Sequence, residues 1–284
     1  MAYMKNIKLP WYQLFKYTIY LLLSNNVYLF LRDDLISSSI MFSSGLSLKN
    51  VIVGFSNSID TASWVILLII FELETYIIED HKLKGKLKWL LKFISSLCYA
   101  FIIYSFYGYI TKYLWFFDFT TFTDNPSVCT HIGKSWLIEF DKYTTIALEN
   151  CKNLSNNSQL FILSNENILT DIDILKSARR VALIDVFNSF AWLVIAIVIE
   201  IDVWLQLKQK LVGNVKKVTN IIKIIAYTIL VISAISWGVS GIFLDTWDAL
   251  LWVLAFVFIE MNLFKWQKNI ENNTIESLTK NNDN

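Results

Sequence analysis

Proline and glycine are almost missing from this chain: two Pro and eight Gly in 284 residues. So few helix breakers argue against a fold of tight turns, and no glycine-rich loop that would cradle phosphate is present. Histidine is limited to His81 and His131, and the three Cys form no Cys-x-x-Cys pair, so no metal site is expected. HExxH and GxSxG motifs are absent, and no His stands within a carboxylate cluster. No catalytic residue is therefore assigned, the chain reads as a non-enzyme, and no cofactor is expected. Charge is also scarce, at 17% of residues, and balanced to a net +1. Without a dense basic patch there is no basis for nucleic-acid binding.

What the chain does have is apolar. It is 55% hydrophobic and 15% aromatic, with a mean hydropathy of +0.46. Such a composition points to an all-α, polytopic helical bundle whose main partner is the lipid bilayer. Six segments approach the roughly 20 apolar residues that a crossing needs. They are 11–31, 60–80, 87–115, 181–206, 218–243 and 247–266. Residues 35–55 are apolar but Ser-rich, which suits a surface helix or a re-entrant hairpin, with a seventh crossing as the lesser alternative. Lys5 and Lys8 precede the first span as in a signal peptide, but no small-residue cleavage site follows, so a retained helix is expected.

Lysines set the expected orientation. The loops "HKLKGKLK" (81–88) and "LKQKLVGNVKK" (207–217) carry four Lys each, whereas "FLDTW" carries none. By the positive-inside rule both loops and both termini are cytoplasmic, in the cell membrane. The chain then divides into crossings 1–3 (1–116), an extracytoplasmic excursion (117–174), crossings 4–6 (175–268) and a disordered cytoplasmic tail (269–284). The excursion contains Cys129 and Cys151, which are expected to pair on the oxidising side. "DIDILKSARR" is expected to start a helix outside the membrane that runs on into the fourth crossing.

A pattern recurs three times: "WVILLIIFELETY" (64–76), "WLVIAIVIEIDVW" (192–204) and "WVLAFVFIEMNLF" (252–264). In each, a Trp is followed eight residues later by Glu, then by Glu, Asp or Asn, then by an aromatic residue. A polar residue stands four before each Trp: Asp60, Asn188 and Asp248. Asp185 and Asp245 stand seven before the second and third. The pattern suggests three copies of a two-helix unit, with the Glu about 12 Å beyond the Trp along each helix. Three two-helix repeats are also the plan of the mitochondrial carriers. The Pro-x-Asp/Glu-x-x-Lys/Arg signature of that family is missing, because Pro10 and Pro126 stand in no such motif.

The other helix of each unit carries one Lys in its first turns: Lys16, Lys92 and Lys223. Equal distance from a tight turn means equal depth in antiparallel neighbours. On that ground Glu72 is expected to meet Lys92 and Glu200 to meet Lys223, and by analogy Lys16 to meet Glu260. Glu72, Glu200 and Glu260, with Glu74 and Asp202, are thus candidates for a cation or proton route through a channel or transporter. The alternative is a non-catalytic scaffold or accessory subunit, with structural Glu–Lys pairs and a protein partner on the external excursion.

Overall fold

The computed structural model describes residues 10–41, 51, 53–74, 78, 85–122, 127–154, 159–163, 167–208 and 213–258. Helix α1 (Pro10–Met41) is followed by α2 (Ser56–Glu72) and α3 (Lys86–Trp115). Five strands come next: β1 (Thr120–Phe122), β2 (Ser135–Glu139), β3 (Lys142–Thr145), β4 (Leu160–Leu163) and β5 (Ile168–Asp171). Helices α4 (Ile172–Leu207), α5 (Gly213–Val239) and α6 (243–258) follow. Residues 35–41 continue α1 beyond the expected first span.

Three of these helices are long and apolar enough to cross a membrane: α3, residues Ile172–Gln206 of α4, and α5. Their outward faces present Phe93, Ile103, Phe190, Ile197, Ile224 and Ile235. An apolar exterior on a helical bundle suits hydrocarbon, where every backbone polar group must be bonded within its own helix. Each helix packs on the next, from α1 to α5. The edge of Tyr227 on α5 meets Phe256 on α6. Phe15 meets Phe258 across α1 and α6 with ring centroids 5.8 Å apart, and Asn26 Nδ2 donates to Asp248 Oδ1 at 2.7 Å. The sixth helix therefore closes the ring onto the first. Ile19, Leu23, Leu68, Ile195, Leu230 and Ala255 fill the centre.

The excursion corrects the all-α expectation. It holds a five-stranded sheet in the order β1-β4-β5-β2-β3, antiparallel except for β5 beside β2. Strands of three to five residues, cut by polar turns, leave no long period-2 run, which is why the segment reads as a loop. One face buries Leu137, Leu163 and Ile168 against Phe116, Leu175, Ala178 and Ala182. The other buries Trp136, Leu160 and Leu169 with Val128 and Ile146. A Cys129–Cys151 disulfide closes that second face. At the β2–β3 turn Asp141 takes a left-handed φ of 60°, a conformation that Asp tolerates better than most residues.

The sheet is tied to the bundle by α4. Asp171 caps this 36-residue helix, its carboxylate accepting from the backbone N–H groups of Asp173 and Ile174. At about 1.5 Å per residue such a helix outruns a bilayer core of about 30 Å. The excess carries the contacts to the sheet. Lys112 near the end of α3 pairs with Asp141, and Ser37 Oγ of α1 donates to the Asp141 carbonyl at 2.5 Å. Arg179 Nε donates to the Phe116 carbonyl at 3.0 Å.

Candidate functional site

The expected ion pairs are redistributed. Glu72, buried on α2, is bonded to Lys16 of α1 and accepts from Tyr17 Oη at 3.0 Å and Tyr20 Oη at 3.5 Å. Lys92 is exposed on the outer side of α3, so the expected Glu72–Lys92 pair does not form. Lys223 Nζ lies 3.1 Å from Asp202 Oδ2, not beside Glu200. Glu200 instead accepts from Tyr99 Oη at 3.3 Å. Both corrections have one cause: equal distance from a turn fixes depth but not azimuth. On α3 the inward stripe is Leu91, Cys98, Ile102, Ser105 and Tyr109, and Lys92 falls about 100° away from it. On α4, Glu200 and Asp202 are two apart and face different neighbours. Glu74 is exposed at the end of α2. Glu260 lies outside the described residues, and with it the expected contact to Lys16.

The repeated tryptophans do meet. Ring centroids are 5.8 Å apart for Trp64–Trp192, 6.0 Å for Trp192–Trp252 and 6.4 Å for Trp64–Trp252. The three indoles form a triangle across the bundle axis. One helical turn nearer the sheet lie the polar residues that precede them, about 6 Å along each helix. There Asp60, Asp185, Asn188, Asp245 and Asp248 line a cavity of about 60 Å³, walled also by Tyr109 and Trp237.

Several of its carboxylates are held in place. Tyr109 Oη donates to Asp60 Oδ2 at 3.4 Å, Trp237 Nε1 to Asp185 Oδ1 at 3.1 Å, and Asn26 Nδ2 to Asp248 Oδ1 at 2.7 Å. The Trp64 indole N–H, one turn along the same helix, also lies beside the Asp60 carboxylate, whose buried Oδ1 has no donor in hydrogen-bond geometry among the described residues. Among the described residues no Lys, Arg or His lines the cavity. Among the described residues no group of three or more His, Cys, Asp and Glu is arranged to hold a metal ion.

The cavity is not isolated. Toward the sheet it shares Phe30, Asn57 and Asp245 with an open cleft of about 560 Å³ that also touches Asp34, Asp141 and Tyr143. Within that region Asp34 accepts from the backbone N–H of Ser58 at 2.9 Å and from its Oγ at 2.6 Å, fastening α1 to the start of α2. Burial holds the Tyr143 hydroxyl well above its ordinary pKa, and the Asp141 carboxylate adds to the shift. Toward the far end the acidic cavity shares Trp64 and Trp252 with a cleft of about 370 Å³ that adds Glu74, Tyr99 and Glu200. The Trp triangle separates the two.

The acidic cavity was not singled out as a site in the sequence, although its members were visible there. Asp60, Asn188 and Asp248 stand four residues before the repeated Trp, hence on the same helix face one turn away. The missing signal was their convergence, which depends on three helices from distant parts of the chain. Comparison with protein-family models, curated proteins and solved structures finds no match for this chain.

Proposed function

We propose that the chain is a cation-translocating membrane protein of six crossings, with the sheet outside and both termini cytoplasmic. Three two-helix units frame the route. Cations enter from the cleft under the sheet, lodge in the acidic cavity, and are held there by the closed ring of Trp64, Trp192 and Trp252. Beyond the ring they reach the inner cleft at Glu74 and Glu200. The observation that carries this reading is a succession of three cavities, each sharing residues with the next and each lined by carboxylates. Intramembrane carboxylates facing a cavity rather than a cation of the protein's own commonly mark ion paths. Under this reading Glu72 and Asp202 are structural: each is matched to a lysine and removed from the route.

Proteoliposomes loaded with a cation- or proton-sensitive dye test the proposal. Uptake is expected from the wild type, reduced in Asp60→Asn and faster when the ring is opened by Trp192→Ala. Liposomes as silent as protein-free controls would defeat it. A second reading, the scaffold with a partner on the external sheet, is favoured by the lysine-matched carboxylates near the cytoplasmic ends. It predicts silence in liposomes together with a partner retained through residues 117–174.

A further inference from the structure

We infer that the acidic cavity is a binding site for a small organic ammonium ion, a protonated alkylamine of a few heavy atoms. The inference rests on the cation-route reading and adds the chemical class of its cargo. Four aspartates line the cavity and no basic residue does, so its complement is a cation. Asp60 is 8% exposed, its Oδ2 is fixed by Tyr109 and the Trp64 indole N–H lies beside the carboxylate, while its Oδ1 meets no donor in hydrogen-bond geometry among the described residues. An oriented, buried carboxylate oxygen with an open lone pair is an acceptor set for an N–H donor.

The choice between an ammonium and a metal ion follows from the rest of the wall. A divalent metal needs several oxygens at about 2.0–2.6 Å and gains nothing from indole carbon. The described carboxylates do not converge in that way, and the floor is three tryptophans. Ammonium groups are drawn to indole faces by the ring quadrupole, and the alkyl carbons they carry pack against the same rings. The volume, about 60 Å³, equals roughly four to six water positions, which suits methylammonium or ethylammonium. The protein itself supplies the chemical precedent: a lysine ammonium beside tyrosines satisfies Glu72 two turns beyond the ring. In the acidic cavity that ammonium comes from outside.

Isothermal titration of the full chain in detergent micelles, with ethylammonium, sodium and calcium chlorides as separate titrants, tests the site. Ethylammonium is expected to bind more tightly than either metal ion. Asp60→Asn is expected to weaken it about tenfold or more, as for the loss of one charge-assisted hydrogen bond, without a large fall in the unfolding midpoint. If Asp60→Asn does not fold, Asp248→Asn is measured in its place with the same expectation. Tighter binding of calcium or sodium, no binding of ethylammonium, or an affinity untouched in the folded variant would each overturn the inference. Cation flux without ethylammonium binding would remove the inference alone; ethylammonium binding in a protein silent in liposomes would remove the transport reading alone.

Discussion

Glu72 and Asp60 lie on the same helix, twelve residues apart and both buried, yet their surroundings are opposite. Glu72 is enclosed by a lysine ammonium and two tyrosine hydroxyls. Asp60 has a tyrosine hydroxyl on one oxygen, the Trp64 indole beside it, no lysine or arginine paired with it among the described residues, and three further aspartates around the same cavity. A buried carboxylate is costly unless paired, so a chain that pairs one and leaves the other open is treating them differently. The paired carboxylate fastens α1 to α2. Under the proposed reading the other offers its charge to a bound cation. The contrast repeats across the bundle, with Asp202 matched to Lys223 and Asp185 held, among the described residues, by an indole N–H.

The largest test of this contrast removes Lys16. Lys16→Met leaves Glu72 buried without its cation, and breaking one partner of such a pair typically costs about 3–5 kcal/mol. Lys16→Met combined with Glu72→Gln is expected to regain much of that loss, so thermal unfolding of the singles and the double should be strongly non-additive. Additive losses would mean that Glu72 and Lys16 act separately.

Next in size is the disulfide, which contrasts the sheet with the bundle. Cys129 and Cys151 are 22 residues apart, and loop entropy for that length is about 3 kcal/mol. Changing both to Ser should lower the stability of the sheet by about that amount. Protease resistance of residues 117–174 would fall, while the response of the bundle to Lys16→Met stays the same. A bundle that weakened equally would show that the two regions unfold as one unit.

Asp60→Asn gives the sharpest division between stability and function. Removing a charge that lacks a matching cation costs little, so the unfolding free energy is expected to change by less than about 1 kcal/mol, or to rise. Liposome uptake should nevertheless fall by about tenfold or more, the size expected for a lost charge-assisted contact. A large loss of stability would place Asp60 with Glu72 among the structural carboxylates.

Which parts of this arrangement were legible in the sequence follows from what periodicity encodes. Helix length and apolar faces are local, so α3, α4 and α5 could be read from hydropathy, and the Trp-to-Glu spacing pointed to related helix faces. Depth is also nearly local, being counted from a turn. Azimuth is not. Lys92 matched Glu72 in depth but points outward, whereas Lys16, 56 residues from Glu72 in sequence, holds the position. The same limit hid the cavity: Asp60, Asp185 and Asp248 are ordinary polar residues in three separate helices until packing aims them at one space. The sheet was missed for a different reason. Its short strands depend on partners up to about forty residues away, as Thr120 does on Ile162, and carry no periodic run of their own.

The smallest expected effect concerns Tyr143, on the wall of the outer cleft. Its hydroxyl is buried and has no hydrogen-bond partner among the described residues, yet it carries no charge at neutral pH. It therefore asks whether the open group on Asp60 is special to carboxylates or common to this end of the molecule. A buried hydroxyl without a partner contributes little, so Tyr143→Phe is expected to be neutral or to stabilise by no more than about 1 kcal/mol near pH 7. Alkali should separate the two proteins. Burial, followed by the Asp141 carboxylate, raises the phenol pKa in the fold above its ordinary value, so above about pH 10 the unfolded chain releases a proton that the folded one retains. That contribution to stability is complete below the ordinary pKa and is lost as pH rises toward the folded value. Wild-type unfolding free energy should thus decline more steeply than that of Tyr143→Phe above about pH 10. Parallel curves would mean that Tyr143 titrates as it does in the unfolded chain, with its hydroxyl in contact with water in the outer cleft.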